Sequence, residues 1–135
     1  MADTIAPARR GTILVVEDRE DVRHGLAQLL ELNGFLVADA RTGDDALEQL
    51  KADPEGIALV LLDLMLPGTL SGRQLRQRQL EDPKLSTVPT IVVTATDLDH
   101  EERLTLRPDA WLDKPFRFDD LLELVKRHVV SETGN

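Results

Sequence analysis

The chain of 135 residues contains no cysteine, and its eight glycines follow no period. A disulfide framework and a collagen-like repeat are therefore excluded, and the lack of thiols favours a reducing, cytoplasmic setting. Long apolar runs are also absent: the longest, Ile57 to Leu62, is far shorter than the roughly 20 residues that cross a bilayer. Residues 1–11 lack the apolar segment of a signal peptide. Secretion and membrane insertion are not expected.

Basic residues are few. Sixteen lysines and arginines stand against twenty-five aspartates and glutamates, so the formal net charge is −9. Because this charge repels a phosphate backbone, we do not expect binding to nucleic acid. The apolar fraction of 41% and the length are ordinary for one folded domain. We expect that domain at residues 11–130, between a flexible tail at residues 1–10 and a C-terminal tail at residues 131–135.

Short apolar runs alternate with helical patterns along the chain. The runs predict five strands, at Ile13–Val16, Phe35–Ala38, Ile57–Leu62, Pro89–Val93 and Ala110–Leu112. Apolar spacing and capping residues predict five helices, at Asp21–Leu32, Thr42–Asp53, Ser71–Leu80, Asp99–Leu106 and Phe118–Val130. Pro108 should keep the fourth helix short or irregular. Alternating strands and helices predict an α/β fold, in which helices cover both faces of a parallel sheet.

Polar residues follow four of the predicted strands. Glu17 and Asp18 come directly after the first strand, Asp63 after the third, Thr94 after the fourth and Lys114 shortly after the fifth. The carboxyl ends of parallel strands share one edge of the sheet, so these side chains should meet. Carboxylates at about 4 Å repel one another by on the order of 4 kcal/mol per pair. Magnesium relieves that repulsion, and a metal, a nucleophilic oxygen and a lysine together are what phosphoryl transfer needs.

Each of these residues also has a structural interpretation. The pair of Glu17 and Asp18 fits a helix cap, Thr94 fits an ordinary strand end, and Lys114 fits a solvated surface charge. Asp63 is harder to explain in this way, because an unpaired carboxylate within an apolar strand is costly. The three histidines share no metal-ligand spacing and are assigned no function.

Four segments, in this order, resemble the receiver domain of two-component response regulators: Ile13–Asp18, Leu61–Gly68, Val92–Ala95 and Lys114–Phe116. The resemblance spans about residues 11–130. It implies a flavodoxin-like, doubly wound sheet of five parallel strands in the order 2-1-3-4-5. Because little chain follows residue 130, we expect a stand-alone single-domain regulator, and a fragment of a longer protein is the alternative.

The resemblance implies a role for each acidic residue at the strand ends. Asp63 would accept a phosphoryl group. Asp18, Asp63 and the backbone carbonyl of Met65 would bind Mg²⁺, or Mn²⁺ in its place. Glu17 would reach the metal through a water molecule.

The resemblance also implies roles for residues after the fourth strand. Thr94 and Lys114 would contact the phosphoryl group, and the Lys114–Pro115 peptide bond would be cis. Thr96 stands where family members adjust the lifetime of that group. Trp111 takes the position of an aromatic switch residue, and it also fits a plain core position.

The implied function is a phosphorylation-dependent switch. A sensor histidine kinase or a histidine phosphotransfer protein would donate the phosphoryl group, and an unidentified protein partner, or a second copy in a homodimer, would respond. The chain would then be a phosphoacceptor signalling domain and not an enzyme. Two other classes stay open. A phosphohydrolase with an aspartate nucleophile would need a second aspartate at Met65, and a constitutive binding module would not need the complete acidic set.

Two further features concern surfaces. Leu106–Asp109 replaces the small-residue turn that precedes the fifth strand in the family, beside the face through which family members commonly signal and dimerise. Arg73, Arg76 and Arg78 form a basic stripe on the third predicted helix. That stripe fits either an acidic partner or a solvated helix face.

Overall fold

The computed structural model describes residues 12–95 and 97–129. The strands within them are β1 (Thr12–Val16), β2 (Leu36–Ala40), β3 (Ile57–Asp63), β4 (Thr90–Thr94) and β5 (Ala110–Asp113). The helices are α1 (Glu20–Leu32), α2 (Gly43–Ala52), α3 (Gly72–Glu81), α4 (His100–Leu106) and α5 (Phe118–His128). Every predicted element is present. The expected tails, together with Thr96 and Val130, lie outside the described residues, and none of the described helices has the length and apolarity of a membrane span.

All neighbouring strands are parallel, in the order β2-β1-β3-β4-β5, which confirms the doubly wound sheet. Strand β3 lies at the centre, and all seven of its residues are buried because helices cover both faces. Helices α1 and α5 pack on one face, and α2, α3 and α4 pack on the other. The core therefore consists of two apolar clusters, one on each side of the sheet.

Strand β2 extends further along the chain than the apolar pattern predicts. Asp39 pairs in register with Val15 of β1, and Ala40 pairs with Val16. Because β2 is an edge strand, the Asp39 side chain remains 43% exposed and its carboxylate keeps contact with water. A prediction from apolar runs ends this strand at Ala38, because Asp39 interrupts the run.

Local capping chemistry sets where the helices begin. The Thr42 hydroxyl accepts a hydrogen bond from the Asp45 amide at 3.1 Å, and Ser71 and Gln74 form a complete capping box at α3. Helix α1 differs, because Arg19 precedes it and no side chain caps it. The first amides of α1 therefore have no side-chain partner at the N-cap position.

Helix α4 is short, as predicted, with seven residues. It ends at Arg107, whose φ of 36° lies in the left-handed region that closes many helices, and Pro108 follows. Arg76 of α3 donates hydrogen bonds to the carbonyl of Leu106 at 2.8 Å and to that of Arg107 at 2.7 Å. The guanidinium thus satisfies carbonyls that every helix leaves open at its C-terminus.

The prediction of a basic surface stripe on α3 is wrong, because Arg76 is only 3% exposed and does not lie at the surface. Burial lowers the pKa of its guanidinium, and the charge of Asp109 opposes that effect. Arg73 donates to a carboxylate oxygen of Glu102 in α4 at 3.0 Å, whereas Arg78 is exposed. Helical spacing does not distinguish an arginine that binds buried carbonyls from one that lies in water.

Replacing Arg76 with Met should destabilise the protein, because buried carbonyls at the end of α4 then lose their donor. An unsatisfied buried acceptor costs about 1–3 kcal/mol, and we expect the free energy of unfolding to fall by that amount or more. Chemical denaturation measures the change. Arg78→Met, on the exposed side of the same helix, is the matched control and should stay within about 0.5 kcal/mol of wild type. Equal losses in the two variants would contradict the capping role of Arg76.

Candidate functional site

The carboxyl edge of the sheet gathers the polar residues that follow the strands in the sequence. Asp63 ends β3 and Thr94 ends the neighbouring strand β4. Glu17 and Asp18 continue from β1, and Lys114 continues from β5. Glu17 and Lys114 are 97 positions apart in the chain and yet contact each other. Parallel topology produces this juxtaposition.

Glu17, Asp18 and Asp63 form a compact acidic cluster, in which one carboxylate oxygen from each residue lies within 4.8 Å of the others. Glu17 is 4% exposed, Asp63 is 6% exposed and Asp18 is half-buried. The Lys114 ammonium donates to Asp63 Oδ2 at 3.0 Å and to Glu17 Oε1 at 3.4 Å. One ammonium offsets only part of the charge of three carboxylates. The oxygen-rich cluster therefore has the chemistry that suits a hard divalent cation.

Backbone amides orient the two most buried carboxylates. The Met65 amide donates to Asp63 Oδ1 at 2.9 Å, and the Arg19 amide donates to Glu17 Oε2 at 3.1 Å. Lys114 bonds the remaining oxygen of each carboxylate, so both oxygens of each group have a partner. The Met65 residue is 58% exposed, and its backbone is the part that contacts the cluster.

Burial and neighbouring charges together shift the pKa of two groups. Burial raises the pKa of the Glu17 carboxyl; the Arg19 amide opposes this rise, the charge of Asp63 adds to it, and the charge of Lys114 opposes it. For Lys114, burial alone would lower the pKa, but the hydrogen bond to Asp63 and the charges of Asp63 and Glu17 outweigh burial and raise it. Lys114 therefore stays charged, whereas burial and the charge of Asp63 disfavour the ionised form of Glu17.

Thr94 ends β4, and Trp111 lies in the neighbouring strand β5. Thr94 is 1% exposed, and its carbonyl accepts a hydrogen bond from the Lys114 amide at 3.0 Å. The Lys114–Pro115 peptide bond is cis, as the resemblance implies. Trp111 is half-buried in β5, and the guanidinium of Arg103 in α4 lies over its ring, 4.8 Å from the centroid. Trp111 thus links β5 to α4.

Two residues that the sequence patterns do not indicate also shape the site. A Cβ atom on Gly72 would lie 2.5 Å from the backbone oxygen of Asp63, so only glycine lets α3 begin so close to the end of β3. Arg23 of α1 is buried and donates to backbone carbonyls of the loop after β1. The only sequence signals are that Gly72 follows a capping serine and that Arg23 adjoins the apolar stripe of α1.

Comparison with known proteins gives the family. The sequence profile described as the response regulator receiver domain matches residues 13–126. The chain belongs to the response regulator receiver family. Sensory transduction protein RegX3 of Mycobacterium tuberculosis is 38% identical over 121 residues, which are 85% of this chain and 49% of that protein. The phosphate regulon transcriptional regulatory protein PhoB of Escherichia coli is 35% identical over 122 residues, which are 88% of this chain and 51% of that protein.

This receiver spans about half the length of those two relatives. Among solved structures, the response regulator TrrA from Thermotoga maritima, in complex with Mg²⁺ and BeF, has a TM-score of 0.75 and 28% identity. The match covers 88% of this chain and 99% of TrrA. The receiver domain of a signal transduction histidine kinase from Syntrophus aciditrophicus has a TM-score of 0.78 and 28% identity, over 87% of this chain and 88% of that one.

The raised pKa of Glu17 predicts how stability depends on pH in metal-free protein. Above the ordinary value of 4.5, the folded protein holds the Glu17 proton more tightly than the unfolded chain does. The free energy of unfolding of the wild type should therefore fall, relative to Glu17→Gln, as the pH rises from 4.5 through the higher folded pKa. A tenfold difference in proton affinity between the folded and unfolded chain corresponds to about 1.4 kcal/mol.

Denaturation of the wild type and of Glu17→Gln at several pH values, with a chelator present, measures this difference. Glu20→Gln is the matched control, because the Glu20 side chain is 68% exposed on the same segment of chain. We expect the free energy of unfolding of Glu20→Gln to change with pH in the same way as that of the wild type. If Glu17→Gln also followed the pH dependence of the wild type, the fold would not disfavour ionised Glu17.

Proposed function

We propose that this receiver accepts a phosphoryl group on Asp63, in a reaction that depends on Mg²⁺, and changes conformation in response. The setting of the Asp63 carboxylate carries the proposal. It is nearly buried, one oxygen accepts from Lys114 and the other from the Met65 amide, and the carboxylates of Glu17 and Asp18 lie within 4.8 Å. Such crowding is unfavourable in a purely structural role, and it fits a group that reacts with a phosphoryl donor beside a cation.

In the proposed step, an oxygen of Asp63 attacks the phosphorus of a phosphohistidine. A phosphorus–oxygen bond forms while the phosphorus–nitrogen bond breaks, and the imidazole nitrogen leaves with the bonding electron pair. Lys114, which already donates to Asp63 at 3.0 Å, would then pair with an oxygen of the transferred group. The Thr94 hydroxyl, at the end of the adjacent strand, would donate to another phosphoryl oxygen.

The acidic cluster also supports the metal assignment. We assign Asp18, Asp63 and the Met65 carbonyl as direct ligands of Mg²⁺ and Glu17 as a ligand through water. Mg²⁺ prefers one or two carboxylates and keeps several waters, and Mn²⁺ accepts the same oxygen ligands. The related receiver TrrA was solved with Mg²⁺ and BeF. When bound, the cation would neutralise charge on the transferring group.

The family supports a phosphoacceptor signalling module rather than an enzyme with its own turnover. We propose a sensor histidine kinase or a histidine phosphotransfer protein as the donor and a protein, or a second copy of this chain, as the reader. The formal net charge of −9 disfavours nucleic acid as a partner of this domain. We further propose that the domain acts in the cytoplasm.

Incubation with a small phosphodonor and Mg²⁺ should add the mass of one phosphoryl group to the protein, as measured by intact mass spectrometry. Asp63→Asn should abolish the adduct because the nucleophilic oxygen is gone. Lys114→Met should slow its formation about 10- to 1,000-fold, since one preorganised donor is lost. Asp113→Asn is the matched control, because Asp113 is an exposed neighbour of Lys114 and its loss should leave the rate unchanged.

Other outcomes would favour the rival functions. An adduct that persists in Asp63→Asn, or no adduct in the wild type, would contradict the proposal. Turnover of a phosphate ester that is lost in Asp63→Asn would point to a phosphohydrolase. Equal affinity of a partner for the phosphorylated and unphosphorylated forms would point to constitutive binding.

The proposed switch role of Trp111 predicts a change in fluorescence. Trp111 is the only tryptophan and the chain has no tyrosine, so the emission reports on this ring. We expect phosphorylation to change the emission of the wild type and not that of Asp63→Asn. Arg103→Gln should alter the starting spectrum and lower stability by about 0.5–1 kcal/mol, because a cation over the ring is lost.

The matched control is Arg127→Gln, which removes an exposed arginine from α5. Its emission spectra before and after phosphorylation should equal those of the wild type. Identical emission from fully phosphorylated and unphosphorylated wild-type protein would contradict a switch role for Trp111 and leave it as a core residue.

A further inference from the structure

Arg23 is a buried charge beside the acidic cluster to which the phosphorylation chemistry assigns no part. It lies in the first turns of α1 and is only 6% exposed. Arginine is rarely buried to this degree unless its guanidinium is paired and hydrogen-bonded. The groups that pair with it therefore indicate what the residue does.

The Arg23 guanidinium joins three parts of the chain. Its Nη1 atom donates to the backbone oxygen of Glu17 at 3.0 Å and to that of Asp18 at 3.4 Å. Its Nε atom donates to the carboxylate of Asp39, at the end of β2, at 3.2 Å. Side chains on a helix lean toward its N-terminus, so a residue one turn into α1 can reach back to the loop that precedes the helix. A planar guanidinium can bind several acceptors at once in a fixed geometry.

These contacts act on the short loop that carries two residues of the acidic cluster. The amide of Glu17 is held by the carbonyl of Ala40 at 3.0 Å, which fixes the start of the loop. Helix α1 has no side-chain cap at Arg19, so its N-terminus does not hold the loop in the usual way. Arg23 supplies the connection from α1 to the loop carbonyls instead. These hydrogen bonds hold the peptide planes on both sides of the Glu17 and Asp18 Cα atoms. They therefore restrict φ and ψ at both residues, and with them the direction in which each side chain leaves the backbone.

We propose that Arg23 is a positioning residue, which holds the backbone of Glu17 and Asp18 so that their carboxylates lie within ligand distance of Asp63. Arg23 does not touch the cation. It acts through the loop, and its role as a metal-site residue rests on the proposed function.

Electrostatics and positioning predict opposite effects when Arg23 is removed. Loss of a nearby positive charge should by itself strengthen the binding of a divalent cation to an acidic cluster. Loss of a group that orients the ligands should weaken it, and outer groups of this kind typically contribute about 10- to 100-fold in metal affinity. The direction of the change therefore distinguishes the two roles.

The experiment is calorimetric titration of the folded, phosphodonor-free protein with MgCl₂. We expect the dissociation constant for Mg²⁺ to rise about 10- to 100-fold in Arg23→Met. The dissociation constant of Arg23→Lys should lie between those of Arg23→Met and the wild type, since an ammonium keeps the charge and cannot reproduce the planar set of donors. Phosphorylation of Arg23→Met should need more Mg²⁺ and approach the wild-type rate at saturation, which a general loss of structure would not allow.

Two variants serve as matched controls. Arg19→Met removes an arginine from the same loop whose side chain is 66% exposed, and it should bind Mg²⁺ at least as tightly as the wild type. Asp39→Asn keeps an oxygen acceptor for Arg23 Nε and leaves the contact of Arg23 with the Glu17 carbonyl in place. The affinity of this variant for Mg²⁺ should therefore equal that of the wild type.

Affinity in Arg23→Met equal to or tighter than that of the wild type would overturn the positioning role. Equal weakening in Arg19→Met would overturn it too, because loss of an exposed side chain that makes none of these carbonyl contacts would then have the same effect. If Arg23→Met does not fold with a chelator present, Arg23→Lys decides: weaker binding supports the role and unchanged binding refutes it. Absence of a phosphoryl adduct on wild-type protein would instead count against the proposed function, so the two failures are distinguishable.

Discussion

Crowding of three carboxylates at the carboxyl edge of the sheet is the constraint on which the rest of the structure depends. Parallel pairing brings Glu17, Asp18 and Asp63 within 4.8 Å of one another, and Lys114 compensates only part of their charge. Burial raises the pKa of Glu17, and the charge of Asp63 adds to that rise. A ligand that brings positive charge to these oxygens stabilises the folded protein, which couples events at this edge to the whole domain.

Buried arginines hold the backbone on both faces of the sheet. Arg23 of α1 binds carbonyls of the loop after β1, and Arg76 of α3 binds carbonyls at the end of α4 on the other face. Helix α4 is also held by an ion pair from Arg73 and by the packing of Arg103 on Trp111. Helix α4 therefore contacts α3 and β5 at the same time.

Most of the fold could be predicted because its signals are local. Strands buried on both faces, such as β3, give unbroken apolar runs, and Pro108 limits α4 directly through backbone geometry. The extension of β2 through Asp39 could not be predicted, because pairing with β1 determines it and an edge strand tolerates a polar residue. The burial of Arg76 was missed for a related reason: two of its partners are carbonyls some 30 residues away in the chain.

By itself, the sequence determined the order of strands and helices and the presence of an acid or a lysine just beyond particular strands, because hydropathy, capping and proline act within a few residues. Only the tertiary structure decided which atoms meet. The bond from Lys114 to Asp63 joins residues 51 positions apart, and the guanidinium of Arg23 reaches carbonyls and a carboxylate on two different strand ends. The parallel topology already predicts that strand ends meet, but the particular atoms that bond depend on how each side chain packs, which neither composition nor spacing encodes.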